Sequence, residues 1–131
     1  MPHTITQEPD GFEIRVTGTL RTDEAVEILD DLDDSDRAPD HAYELVDLSD
    51  ADPLRFGLEE LHLIARRATV SSRKPGVRLA LVGPARVLGS NARDYAHMLG
   101  TWMKPATWKV ADFESVADAR EWIAERETSR D

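Results

Sequence analysis

Strand-like segments that alternate with amphipathic helices predict one α/β domain built on a mixed β-sheet, in the order β-β-α-β-α-β-α-β-α. Three observations lead there. Phe12, Ile14 and Val16 alternate with Glu13, Arg15 and Thr17, the period of a half-buried strand. After Arg78 the chain is apolar without interruption to Val82, as in a central strand covered on both faces. Between such segments lie stretches with apolar residues at helical spacing, and strands separated by helices are joined by right-handed parallel crossovers.

Each element has its own signal. His3 to Gln7 alternates and is followed by Glu8-Pro9-Asp10-Gly11, so the first two strands read as a hairpin that adds an antiparallel edge. Thr22 reads as an N-cap, with Asp23 and Glu24 favoured by the helix dipole. Ala25, Ile28, Leu29 and Leu32 then form one apolar stripe. A charged loop, DDSDRAPDHA, is closed by Pro39, and Tyr43 to Leu48 is the next strand. The second helix runs from about Leu58 to Ser71, with Leu61, Ile64, Ala65 and Ala68 on its buried side. The loop SSRKPG leads into VRLALVG, which Gly83-Pro84 ends. One helix from Ala85 to Leu99 follows, carrying Leu88, Ala92, Tyr95 and Leu99, with Gly100 as its C-cap. Ala106 to Asp112 is the last strand. Glu114 to Glu127 is the last helix, with Val116, Ala119, Trp122 and Ile123 as its stripe. Residues 1–131 form a single domain without repeat or linker, and residues 1–2 and 127–131 are expected to fray.

Composition narrows the function classes. With 131 residues, 40% of them hydrophobic, the chain can bury a core without staples. The absence of cysteine rules out disulfides, thiolate metal sites and cysteine nucleophiles. A formal charge of −10 opposes binding to nucleic acid and docking on anionic membranes, and it favours solubility. No apolar run approaches the roughly 20 residues needed to span a bilayer. MPHTITQEPDG lacks the basic start and apolar stretch of a signal peptide, so a cytoplasmic location is expected.

Four stretches, VTGTLRTDEAVEIL (Val16 to Leu29), ELVDLSDAD (Glu44 to Asp52), RLALVG (Arg78 to Gly83) and FESVADAREWI (Phe113 to Ile123), carry a family resemblance. The chain resembles the STAS fold of anti-sigma-factor antagonists and, more closely, the SpoIIAA-like family of small stand-alone proteins. In the antagonists the loop before the second helix reads roughly I-D-S-[ST]-G-L, and a partner kinase phosphorylates its serine. Here Leu54, Arg55, Phe56, Gly57 and Leu58 occupy the comparable places, so Phe56 stands where the serine would be and Arg55 where the aspartate would be. No hydroxyl occurs between Ser49 and Thr69. The resemblance therefore implies the fold without the phosphorylation switch. The SpoIIAA-like family shares that lack, and its likeness to the lipid-exchanging CRAL-TRIO fold implies an apolar ligand as one role.

The candidate site residues follow from position. Asp47 lies near the carboxyl end of a parallel strand, where open α/β sheets bind ligands. With Ser49, Arg55 and Phe56 it is expected to form one contact surface, Arg55 and Phe56 offering an anion contact and a stacking face. The opposing reading has Asp47 capping the Ser49 loop and Phe56 plugging the core. Tyr95, Trp102 and Met103 are expected to line a second, apolar surface for a partner, a second copy or an acyl ligand.

Other chemistries find little support. Glu59/His62 and Asp94/His97 are spaced as pairs of ligands on a helix, but no third ligand follows at a motif spacing, so no metal is expected. Leu88-Gly89-Ser90-Asn91 is no nucleophile elbow, and Gly83-Pro84-Ala85 lacks the phosphate-loop pattern. The aspartates between positions 30 and 40 do not follow a calcium loop. The expectation is a non-enzymatic binding or regulatory module without a cofactor, acting on a protein partner, with a homodimer left open. A carrier of a small apolar, lipid-like ligand is the alternative and an enzyme the third class.

Overall fold

The computed structural model describes residues 3–34, 41–69, 77–102 and 108–128. Five strands form one sheet in the spatial order of the sequence: β1 (His3–Gln7), β2 (Gly11–Gly18), β3 (Tyr43–Ala51), β4 (Val77–Val82) and β5 (Trp108–Phe113). β1 pairs antiparallel with β2, and every later pairing is parallel. The mixed α/β sheet and its opening hairpin are as the patterns predict.

A sheet whose parallel strands follow one another in order, each crossover right-handed, returns every connecting helix to the same face. α1 (Thr22–Asp33), α2 (Leu58–Thr69) and α4 (Asn91–Trp102) accordingly pack with Ile14, Val16, Leu48, Leu79 and Leu81 in the larger core. α5 (Val116–Thr128) follows the last strand and covers the other face, burying Ala119 and Ile123 against Tyr43, Leu45, Ala80 and Val82. β4, flanked by strands and covered on both sides, is buried along its whole length. All four residues of the expected stripe are buried on both α1 and α2.

The structure corrects several local expectations. The helix read as continuous from Ala85 to Leu99 is two: α3 (Ala85–Leu88) and α4. The break is at Gly89, whose φ of +53° is a conformation that side chains disfavour. Gly100 lies inside α4, not at its cap. Thr22 does not cap α1, because its hydroxyl donates to Glu60 Oε2 at 2.8 Å and Arg21 holds the cap position with no side-chain hydrogen bond. β3 runs on past Leu48 to Ala51, and α5 ends at Thr128. Residues 1–2 and 129–131, with the loop residues 35–40 and 71–76, lie outside the described residues.

α5 is tied to the hairpin by Arg120. Its guanidinium donates to both Glu8 oxygens, at 2.7 and 2.9 Å, and lies 5.8 Å from the centre of the Tyr43 ring. Tyr43 also donates its hydroxyl to Glu8. The hydrogen bonds from Arg120 hold the Glu8 carboxyl below its usual range. A depressed carboxylate stabilises the fold above its unfolded pKa, and that stability is lost as pH falls through the folded value. Arg120→Ala should therefore cost about 1 kcal/mol at pH 7, the pair being part-exposed and screened. The cost should shrink towards zero as acid protonates Glu8. Urea melts of both proteins from pH 7 to pH 3 check this, and a cost that does not fall with pH would exclude the bidentate pair as its source.

Candidate functional site

The helical face holds a cavity of ≈ 110 Å³ beneath α1, α2 and α4. Its floor is the inward row of β3 and β4: Glu44, Val46 and Leu48 beside Leu79 and Leu81. This row follows from register, since Glu44 pairs with Leu79 and Val46 with Leu81. Its walls are Ala25, Ile28, Leu29 and Leu32 of α1, Leu61 and Ile64 of α2, and Ala92 and Tyr95 of α4. Leu20, Leu54, Phe56 and Asn91 close the end next to the strands' carboxyl termini.

That closed end is built from backbone hydrogen bonds. Asn91, the first residue of α4, accepts from Phe56 N–H at 2.9 Å and donates to Phe56 C=O at 3.0 Å, so one side-chain amide holds both sides of the Phe56 backbone. Leu54 N–H donates to Val87 C=O at 2.8 Å. The break at Gly89 is what brings a new helix start, and hence Asn91, to this place. Glu60 then caps α2 by accepting from Gly57 N–H at 2.9 Å, the returning half of a capping box. That backbone bond is the main reason its carboxyl is held below the usual range, with the Thr22 hydroxyl adding to it.

At the other end of the floor is a buried polar pair. Glu44 and His41 are each 2% exposed, and Glu44 Oε2 lies 2.6 Å from His41 Nε2. The imidazole packs edge-on against Phe12 with centroids 5.0 Å apart, and its Nδ1 is buried with no hydrogen-bond partner. The sequence reading missed Glu44, His41 and Asn91. A signal for Glu44 was present: it interrupts the apolar period-two row that continues through Val46 and Leu48.

The surface drawn through Asp47, Ser49, Arg55 and Phe56 divides into two places. Asp47 is buried on the opposite sheet face, beside Arg15 at 3.7 Å, and accepts from Ser49 N–H at 3.0 Å. It supports a bulge. The register jumps from Arg15↔Asp47 to Thr17↔Asp50, and the carboxylate takes an N–H displaced from the ladder. The bulge also resets parity, so that Leu48 and Ala51 both enter the helical-face core. Ser49 is half-buried at that bulge.

Arg55 is exposed and shares with Phe56 a polar groove at the carboxyl ends of β2 and β3, together with Arg21, Asp23, Asp52 and Glu60. Phe56 is half-buried and lines both this groove and the cavity. Tyr95 lines the cavity from α4. Trp102 is the last residue of α4; its side chain, Trp108's side chain and all of Met103 lie outside the described residues.

Among the described residues no group of three or more His, Asp or Glu side chains is placed to hold a metal ion. Glu59, His62 and His97 are exposed on their helices. No helix among those residues is long and apolar enough to cross a membrane.

Comparison with known proteins gives the fold. No family model matches the chain, and no curated protein does. Among solved structures, the chain is similar to the anti-sigma factor antagonist SpoIIAA in its unphosphorylated form, with 13% identity over 94% of this chain and 96% of that one and a TM-score of 0.55. It is also similar to an uncharacterised protein of the DUF3478 family with a SpoIIAA-like fold from Shewanella loihica PV-4. That match has 18% identity, covers 92% of this chain and 91% of that one, and has a TM-score of 0.51. The chain thus has a SpoIIAA-like, STAS-like fold.

Proposed function

We propose that this protein is a non-enzymatic binding module that holds a small apolar ligand between its sheet and α1, α2 and α4. One observation carries the reading: the ≈ 110 Å³ cavity, lined almost wholly by hydrocarbon. Protein interiors contain few voids larger than a water molecule. The cavity is partly open to the surface, so a ligand can reach it, and covering its apolar lining gains roughly 25 cal/mol per Å² removed from water. A cavity of about 150 Å³ with such a lining takes up benzene, so a molecule of that size or slightly smaller suits this one. A whole acyl chain requires the helices to part.

Benzene or xenon titrated into labelled protein should shift the methyl resonances of Ala25, Leu48, Ile64 and Ala92 saturably. Ala92→Leu, which fills the space from α4, should raise stability by about 1 kcal/mol and abolish the shifts. Wild-type methyls that do not respond to saturating benzene would dispose of the cavity as a binding site.

A second reading is contact with a protein partner through the loop that carries Arg55 and Phe56. It is favoured by Leu58 and Leu63 of α2, which are 67% and 56% exposed close by in sequence.

A further inference from the structure

Resting on the cavity reading, we infer that the ligand is a short amphiphile whose apolar end fills the cavity and whose anionic head lies in the adjoining groove beside Arg21 and Arg55. Two side chains, Leu20 and Phe56, line both the ≈ 110 Å³ cavity and the ≈ 670 Å³ groove at the carboxyl ends of β2 and β3. Among the described residues these two alone belong to both linings, and both are half-buried. Asn91 holds the Phe56 backbone from both sides, so passage between the two spaces asks only that the ring and the Leu20 side chain turn.

The chain sets a cation next to each of these two residues. Arg21 follows Leu20 and Arg55 precedes Phe56, and both arginines are exposed and line the groove. Among the described residues neither guanidinium has a hydrogen-bond or ion-pair partner. The groove's three carboxyl groups do have donors. Asp52 accepts from the Thr19 hydroxyl at 2.7 Å and Asp23 from the Glu24 N–H at 3.0 Å. Glu60 accepts from the Gly57 N–H at 2.9 Å and the Thr22 hydroxyl at 2.8 Å. What the groove offers unengaged is the N–H groups of two guanidiniums. Apolar pockets gain orientation from a few such polar groups at their edge.

Charge sets the head group. Arginine is a cation at any working pH, and its planar fork matches the oxygens of carboxylates, sulfonates and phosphates in hydrogen bonds roughly twice as strong as neutral ones. Of the chain's formal charge of −10, mainly the carboxyl groups of the groove itself act against such a head, because exposed charges beyond about 8 Å are largely screened at physiological ionic strength. An ammonium head is repelled by both guanidiniums. The ligand class is therefore a short alkyl or arylalkyl carboxylate, sulfonate or phosphate monoester, with a few methylenes between the apolar end and the anion.

4-Phenylbutyrate, 4-phenylbutanol and 4-phenylbutylamine share one apolar end and differ in the head, and toluene is the headless control. Titrated at pH 7 into methyl-labelled protein, toluene should shift the cavity methyls of Ala25 and Ala92 and leave the groove methyls of Thr19 and Thr22 in place. 4-Phenylbutyrate should move both groups along one binding curve, about tenfold more tightly than the alcohol, with the amine weakest. Arg21→Gln combined with Arg55→Gln should bring the carboxylate down to the affinity of the alcohol. Arg55→Gln alone should give a smaller loss, and it serves should the double variant fail to fold. If neither toluene nor 4-phenylbutyrate shifts the cavity methyls, the cavity reading itself is lost. The head-group site is overturned, and the cavity reading stands, if toluene binds but the carboxylate moves only the threonine methyls or gains nothing over the alcohol. A gain that survives in the arginine variants, or an amine that binds as tightly as the carboxylate, would likewise overturn it.

Discussion

Replacing His41 with alanine should cost about 3–5 kcal/mol, the largest effect expected of any single substitution outside the apolar core. The imidazole is 2.6 Å from a carboxylate, and both side chains are withdrawn from water, 1% and 3% exposed. Whichever partner holds the proton, removing the ring takes the 2.6 Å partner away from a carboxyl group buried in the sheet floor opposite Leu79. The Phe12 edge contact goes with it. The pair itself need not stabilise the fold. Buried polar pairs replaced by hydrocarbon of similar volume are often neutral or better. His41→Leu combined with Glu44→Leu should therefore recover most of what His41→Ala loses. Urea denaturation of the single and double variants decides the matter. A single variant that loses under about 1 kcal/mol, or a double variant no better than the single, contradicts the assignment of a buried, mutually dependent pair.

That pair also marks the limit of what the sequence made legible. Periodicity locates elements and faces well, because burial imposes it. Leu61, Ile64, Ala65 and Ala68 recur at helical spacing for the same reason that they are buried under the sheet. β4 is continuous hydrocarbon because both its faces are covered. Periodicity is weaker at breaks, where one residue's backbone angle decides. Gly89-Ser90-Asn91 carried a stop and a start signal inside an otherwise regular stripe, and the stripe outweighed it.

The site was less legible than the fold. Position near a strand's carboxyl end pointed to Asp47, but its orientation depends on parity, and the bulge after it could not be counted from one strand alone. Asp47 turns away from the helices and ties down Ser49. Glu44, three residues earlier and on the opposite face, turns inward. A cavity has no sequence signature, because it is a volume that neighbouring elements fail to fill. Phe56 and Tyr95 were singled out as aromatic residues, and both line that volume, yet nothing in their spacing places them around a common space.

Two glycines separate steric from conformational cost, and Gly11→Ala should be the more damaging of the two substitutions. A Cβ on Gly11 would lie 2.5 Å from the Tyr43 carbonyl oxygen and 2.7 Å from two carbons of its ring. Gly11 sits directly opposite Tyr43 in the β2–β3 pairing. Neither strand can yield alone, since β2 is held by β1 on its other side and β3 by β4. Overpacking of this kind costs about 1–3 kcal/mol, and contact with fixed backbone puts the expectation at the upper end. The strain also spreads. Tyr43 joins Glu8 and Arg120, so a displaced ring loosens the tie between the hairpin and α5. Gly89→Ala meets no atom within 4 Å and pays only for its backbone conformation, φ +53° and ψ −142°, about 2 kcal/mol. Thermal melts of the two variants should rank them in that order. Hydrogen exchange should add that Gly11→Ala exposes amides of β1 and β2, whereas Gly89→Ala acts on the α3–α4 junction. A Gly11→Ala protein as stable as Gly89→Ala would mean that the β2–β3 register at Tyr43 is not as described. Exchanging Tyr43 for valine in the Gly11→Ala background should return only part of the loss, because the carbonyl stays where it was.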